Sequence, residues 1–281
     1  VKVESADDAG IATNITEYQG LKTLITNAKI QTKTEIRDVW GRMAKTIDAN
    51  GKPTVFTHDA FNSLVQTQDS LGNIVTIDYD NLGHRIKLSD PDLGQITYDV
   101  DALGRTTKQV SPTQRKAGTA TIMRYDDLGR MVARDESDLS SRWVYDNQAS
   151  QNCVTTHSCG KLIEAYTLNG GNKENTETHS FDSYGRPLVS TQQRDVLYTH
   201  MVGYDAWGRA LSESHQRGSD TAKVFERRYN AYGYQFQVLR GLTTPSTGYQ
   251  VLWQANTMNA RMQLKAAALG NGLNVARDYY D

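Results

Sequence analysis

The sequence predicts an all-β protein, an antiparallel meander of short hairpins repeated in tandem. Three observations carry this prediction. An Asp-x-x-Gly signal recurs along the chain, its spacing is near ten or eleven residues, and the stretches between signals are rich in β-branched and aromatic residues.

The signal first reads Asp38-Val39-Trp40-Gly41. It returns at Asp48–Gly51, at Asp59-Ala60-Phe61-Asn62, at Asp69–Gly72, at Asp80-Asn81-Leu82-Gly83 and at Asp101-Ala102-Leu103-Gly104. Between the last two stands Pro91-Asp92-Leu93-Gly94, with its acid shifted to Asp90. Each interval leaves room for one ordinary strand of about 5–6 residues. Asp is suited to opening such a turn because its carboxylate accepts from the backbone two residues on. Gly closes it because it adopts positive φ without a Cβ clash, and Asn62 is the next best residue there. The segments Pro53–His58, Ile74–Tyr79 and Gln95–Val100 have the β-branched and aromatic content of strands.

Two kinds of turn alternate. One has an aromatic before Asp, a large apolar residue before Gly and often Arg after it; the other, at Gly51, Gly72 and Gly94, is plainer. Hence the unit is a hairpin of two strands, with aromatic turns along one sheet edge and plain turns along the other. The Arg after Gly is placed to stack on a neighbouring ring or to bridge an Asp.

By segment, residues 1–30 read as an opening stretch with a degenerate repeat, in which Ile30 stands where Gly is expected. Residues 31–146 read as regular repeats. The period breaks over 147–179, an irregular insert holding Cys153 and Cys159, entered through a hairpin starting at Trp143. Repeats resume over 180–235 and degenerate over 236–281, where Asn256–Leu269 admits either a short helix before Gly270 or a strand and loop. Val1 is not a Met and Tyr280-Asp281 stops inside what reads as a further repeat, so a longer protein is expected.

Composition limits function. Hydrophobic residues make up 38% and Gly adds 22 residues, enough for a folded chain. Lys and Arg number 31 against 32 Asp and Glu, a net charge of −1, which argues against a sequence-independent nucleic-acid surface. No run of 18 apolar residues predicts a membrane-spanning helix. Cys153-x3-His157-x-Cys159 is the nearest approach to a metal cluster. Zinc sites usually take four ligands and the usual Cys-x2–4-Cys knuckle is missing, so a further ligand such as His179 would be needed. A disulfide between Cys153 and Cys159, consistent with an exported protein, and two free thiols are the other readings. His58 and His84 sit at repeat positions. No nucleophile-elbow, zincin or phosphate-loop motif occurs. No catalytic residue, metal or cofactor is therefore expected, and no enzyme activity.

The residues Tyr125-Asp126-Asp127-Leu128-Gly129-Arg130 resemble the signature of the Rhs/YD-repeat family, which includes toxin-complex proteins and, more distantly, teneurins. Variants stand at Tyr79-Asp80 with Gly83, Val100-Asp101 with Gly104 and Arg105, Phe181-Asp182 with Gly185 and Arg186, and Tyr204-Asp205 with Gly208 and Arg209. Trp40-Gly41 marks a further aromatic turn. The sequence Trp143–Asp146 followed by Gly160-Lys161-Leu162 and the closing Gly270–Asp281 are similar to the toxin-complex and virulence-plasmid B-protein branch. The resemblance implies a long β-sheet that spirals into a hollow shell around a C-terminal toxic domain, in a secreted or cell-surface bacterial protein. The partners it implies are that enclosed domain and other parts of the same shell. An extracellular adhesion module binding a cell-surface glycan or protein is the alternative, resting on Trp40, Tyr184 and Trp207 along one edge, and it requires those rings to stand free of neighbouring hairpins.

Overall fold

The computed structural model describes residues 2–6, 13–146, 153–241 and 248–279. These residues form twenty-four strands and one short helix, in two compact units, 1–123 and 124–281.

In the first unit the strands are β1 (Lys2–Ala6), β2 (Thr13–Gln19), β3 (Lys22–Thr26), β4 (Thr32–Arg37), β5 (Met43–Ile47), β6 (Pro53–His58), β7 (Leu64–Gln68), β8 (Ile74–Tyr79), β9 (Arg85–Asp90), β10 (Gly94–Val100), β11 (Thr106–Val110) and the start of β12 (Thr121–Tyr125). Each strand pairs antiparallel with the next in sequence, from β1 on β2 through β11 on β12. The second unit holds β13 (Met131–Asp135), β14 (Ser140–Tyr145), β15 (Leu162–Asn169), β16 (Asn172–Phe181), β17 (Pro187–Gln193), β18 (Leu197–Tyr204), β19 (Ala210–Arg217), β20 (Lys223–Tyr229), β21 (Gln235–Gly241), β22 (Tyr249–Met258), β23 (Leu264–Leu269) and β24 (Asn274–Ala276). The same nearest-neighbour antiparallel order runs from β13 to β24. Each unit is thus an antiparallel meander, the fold class that the turn spacing predicts.

The structure revises two local expectations and decides between the alternatives of a third. First, the 31–146 stretch contains a helix, α1 (Pro112–Ala117), where only repeats are expected. Its cause is legible in the residues. Ser111 accepts from the Gln114 backbone N–H while the Gln114 side chain caps Ser111 in return, Pro112 opens the helix, and Gly118 closes it at φ 67°. Second, 147–179 is irregular only in part, because β15 and most of β16 lie inside it; cross-strand pairing with β14 and β17 holds those polar Thr- and Glu-rich segments extended. Residues 147–152 of the insert lie outside the described ones. Third, residues 256–269 carry the end of β22 and the whole of β23, the strand-and-loop alternative rather than the helix.

Few side chains are buried. Among the described residues only Ala133, Leu239 and Ala267 are buried apolar side chains. Thr121, Asp146 and Ser158 are the buried polar ones. A sheet normally hides one face against a second layer. Here stability has to come from the ladders, the turns and cross-strand contacts within each sheet, with most side chains half covered by their neighbours. Among the described residues no helix is long and apolar enough to cross a membrane.

Candidate functional site at the aromatic turn edge

Every aromatic turn is assembled in the same way. In the turn after β18, the Asp205 Oδ1 accepts from the backbone N–H groups of Trp207 and Arg209, at 2.9 Å each. Asp205 N–H donates to the Arg209 carbonyl, and Gly208 N–H donates to the Asp205 carbonyl. The pairing of Tyr204 with Ala210 carries a register shift, so the turn is a bulged hairpin closed by a residue at positive φ. Asp38, Asp59, Asp80, Asp101, Asp126 and Asp182 accept the same two backbone bonds in their own turns. The degenerate turns keep the geometry with other residues. Asn27 and Asn259 take the part of Asp, while Ile30 (φ 61°) and Met262 (φ 60°) take the part of Gly.

The basic residue after Gly then does two things. Its guanidinium bridges the second carboxylate oxygen of its own turn: Arg42 to Asp38, Arg105 to Asp101, Arg130 to Asp126, Arg186 to Asp182 and Arg209 to Asp205, each at 2.6–2.7 Å. His84 replaces Arg at Asp80, with Nδ1 at 2.9 Å. In three of these turns the flat face of the guanidinium also lies over the aromatic ring of the next repeat. Arg130 stands 4.4 Å from the Tyr145 ring centre, Arg186 is 4.0 Å from Tyr204, and Arg209 is 4.2 Å from Tyr229.

The ring answers in the opposite direction. The Tyr204 hydroxyl donates to the Pro187 carbonyl (2.8 Å) and the Tyr229 hydroxyl to the Ala210 carbonyl (2.7 Å). Tyr79 reaches Leu64 and Tyr279 reaches Leu264 in the same manner. Each acceptor is the residue that follows the Arg position of the preceding repeat. Gly has a second role here. A Cβ on Gly208 would sit 3.0 Å from Arg186, one on Gly233 3.2 Å from Arg209, and one on Gly104 2.5 Å from His84, so the Gly leaves room for the Arg or His side chain of the repeat before it.

These contacts set the electrostatics. The Asp101 carboxyl is held below the usual carboxylate range, above all by the Arg105 backbone N–H, with the guanidinium adding to it. The His84 backbone N–H does the same for Asp80. Desolvation pushes the Asp205 carboxyl up, but the Arg209 N–H and guanidinium outweigh it and the net shift is downward.

The insert proves to be an enlarged repeat turn. Asp146 N–H donates to the Lys161 carbonyl, the bond that Asp and Arg make elsewhere. Gly160 N–H donates to Asp146 Oδ2 at 2.5 Å, and the Lys161 ammonium lies 4.4 Å from the Phe181 ring and contacts the Gly185 carbonyl. Tyr145-Asp146 and Gly160-Lys161 are therefore the two ends of one Tyr-Asp turn, opened to admit 147–159. A disulfide joins Cys153 to Cys159 within it. Asp146, buried, also accepts from Arg130 at 3.1 Å and so ties the insert to the preceding repeat.

The remaining turn residue points outward. Trp40 (77% exposed), Tyr184 (83%) and Trp207 (80%) are free of neighbouring hairpins, and Phe61, Leu82, Leu103, Leu128 and Tyr232 occupy the same exposed position in their turns. In the second unit, Trp207 and Tyr232 flank a recess of about 460 Å³ floored by Arg209 and Tyr229. The sequence-predicted motif residues thus divide. Asp, Gly, Arg and the Tyr or Phe before Asp build the lock between repeats, and the apolar residue before Gly remains available on the edge.

No protein-family model matches the sequence, and no curated protein matches it. Solved structures do match. The structure of TcdB2-TccC3 with Cdc42 aligns over 99% of this chain with a TM-score of 0.70 at 17% identity. The chain has the fold of a segment of TcdB2-TccC3. TcdB2-TccC3 without its hypervariable C-terminal region gives the same TM-score at 16% identity, and the Photorhabdus luminescens Tc holotoxin pore gives 0.69. At these identities the likeness speaks for the fold alone, and it is the fold that the Tyr-Asp repeats imply. The chain spans only 16% of the length of each of these chains.

Proposed function

We propose that this chain is a wall segment of a β-sheet shell belonging to a secreted or surface bacterial toxin, with a structural and not a catalytic role. The observation that carries this reading is the lock between successive repeats. The turns at Tyr204 and Tyr229 are each fixed to the preceding repeat by a cation on a ring and a hydroxyl on a carbonyl, while few of the described side chains are buried. Such a sheet holds its register without a second layer, which is what a wall requires. Its partners are then other parts of the same shell and an enclosed C-terminal toxic domain. The shared fold with a segment of TcdB2-TccC3 supports the reading. Limited proteolysis of the complete gene product tests it, followed by intact mass of the surviving species. A C-terminal polypeptide that resists protease in the native protein and is digested once the shell is opened supports enclosure. A C-terminus cleaved as readily before opening as after overturns it.

A second reading, an adhesion module for a cell-surface glycan or protein, is favoured by one observation: the rings of Trp40 in the first unit and of Tyr184 and Trp207 in the second are exposed at their turns. Aromatic side chains with an apolar face and a polar rim suit such contacts. Binding to an immobilised glycan set that is lost on Trp207→Ala and Tyr232→Ala would support it. Absence of binding by the unaltered chain would remove it.

A further inference from the structure

We infer that the face of the sheet around β18 and β19 carries a binding site for a divalent transition-metal ion of the zinc type, held by His200, Glu213 and His215. The register creates it. His200 on β18 pairs directly with His215 on β19, and Glu213 lies two residues before His215, so all three side chains leave the same face. One ligand atom from each lies within 4.8 Å of the others. The two imidazoles are stacked, with ring centres 4.6 Å apart and planes inclined by 15°.

Three further facts distinguish this cluster from an ordinary polar patch. The His200 Nε2 is buried and has no hydrogen-bond partner, an unfavourable state for a ring nitrogen and one that a metal would relieve. The ligand types are those that zinc takes, two imidazoles and one carboxylate, which leaves a fourth position for solvent. The site has an approach, since His200 and His215 line an open recess of about 390 Å³ together with Ser190 and Tyr198. Around it are the parts that orient ligands. Arg227 bridges one Glu213 oxygen at 2.8 Å, and the Phe225 ring meets His215 edge-on with centres 5.9 Å apart. Zinc–nitrogen distances of about 2.0–2.1 Å require the ligand atoms to draw together by more than about an ångström and the two imidazoles to turn out of their stack, so that their in-plane lone pairs converge on one ion. The ion would clip β18 to β19 from the face, independently of the turn-edge lock, and the inference does not rest on the shell reading.

Titration of the intact chain with Co²⁺ as a spectroscopic probe, and with Zn²⁺ by calorimetry, tests this. The expected result is one ion per chain, with visible absorption of tetrahedral Co²⁺ that added Zn²⁺ displaces. His200→Asn and His215→Asn should each weaken binding about tenfold or more, and Glu213→Gln should weaken it less. His179→Asn, two strands away, should leave it unchanged. Circular dichroism of each variant establishes that it is folded, and His215, exposed on its strand, is the variant least bound to folding. Undiminished binding in the folded His215→Asn variant, loss of binding in His179→Asn, or no stoichiometric binding by the unaltered chain would each overturn the assignment.

Discussion

Removing one hydroxyl from the turn edge should measurably weaken a whole repeat. The Tyr229 hydroxyl donates to the Ala210 carbonyl at 2.7 Å, and its ring lies under Arg209 at 4.2 Å. Tyr229→Phe keeps the ring and deletes the hydrogen bond, whose net contribution is about 1 kcal/mol. Tyr229→Leu deletes both. A cation over a ring at a partly exposed site adds about 0.5–1 kcal/mol, so the second variant should lose about 2 kcal/mol in all. In a unit the size of 124–281, each kcal/mol moves the melting midpoint by about 2–4 °C. Tyr229→Phe should therefore lower it by about 2–4 °C and Tyr229→Leu by about 4–8 °C. Urea and thermal melts followed by far-ultraviolet circular dichroism give these values. Combining Tyr229→Leu with Arg209→Gln should be less than additive by about 0.5–1 kcal/mol, because the contact is counted once. If Tyr229→Phe melts with the unaltered chain and Tyr229→Leu matches Tyr229→Phe, the ring and hydroxyl contribute nothing and the lock is only a geometric coincidence.

Other expectations follow from the same geometry. The carboxyls of Asp80, Asp101 and Asp205 are depressed in the folded chain, so the unfolded chain takes up protons first as pH falls. Their stabilisation is full above about pH 5 and is lost as pH drops below the unfolded value near 3.9 toward the folded ones; urea midpoints between pH 7 and pH 3 should show this, and Asp205→Asn should shrink the drop. Ile30 is a β-branched residue held at φ 61°, so Ile30→Gly should stabilise its turn by about 1 kcal/mol in the same melts. Reducing the Cys153–Cys159 bond, which spans six residues in sequence, should cost about 2 kcal/mol by loop closure, read as faster hydrogen exchange over 153–161. Trp207→Ser should change stability by no more than about 0.5 kcal/mol, since the ring is 80% exposed and its cation contact, with Arg209 at 4.9 Å, is on the surface.

The turns were legible in the sequence because each is specified locally. An Asp that bonds two backbone N–H groups and a Gly at positive φ lie within five residues, and the strands take their alternation from that punctuation. The helix at Pro112–Ala117 was equally local, with Ser111, Gln114 and Gly118 in place, but a six-residue element inside a strong period is easily read through. Residues that depart from the pattern were harder. Ile30 and Met262 adopt the left-handed region because Asn27 and Asn259 and the flanking ladders fix the turn around them, so tertiary pairing overrides residue preference. Reading the 147–159 insert as the inside of a turn needed Asp146 to meet Gly160 across a gap that no local rule spans. The His200, Glu213 and His215 cluster was invisible, because its membership depends on the register between β18 and β19, which is not written at any fixed spacing.

The lock has a direction. Tyr204 and Tyr229 each reach back to a carbonyl already laid down in the preceding repeat, and Arg186 and Arg209 each wait for a ring that comes later in the chain. A nascent chain leaving the ribosome would therefore set one hairpin at a time in the order of synthesis. Every newly made ring seats on a finished predecessor and in turn exposes the next guanidinium. An array put together this way needs no distant segment to be present before its first repeats are fixed, and the work of chaperoning a long polypeptide falls only on the hairpin at the growing end.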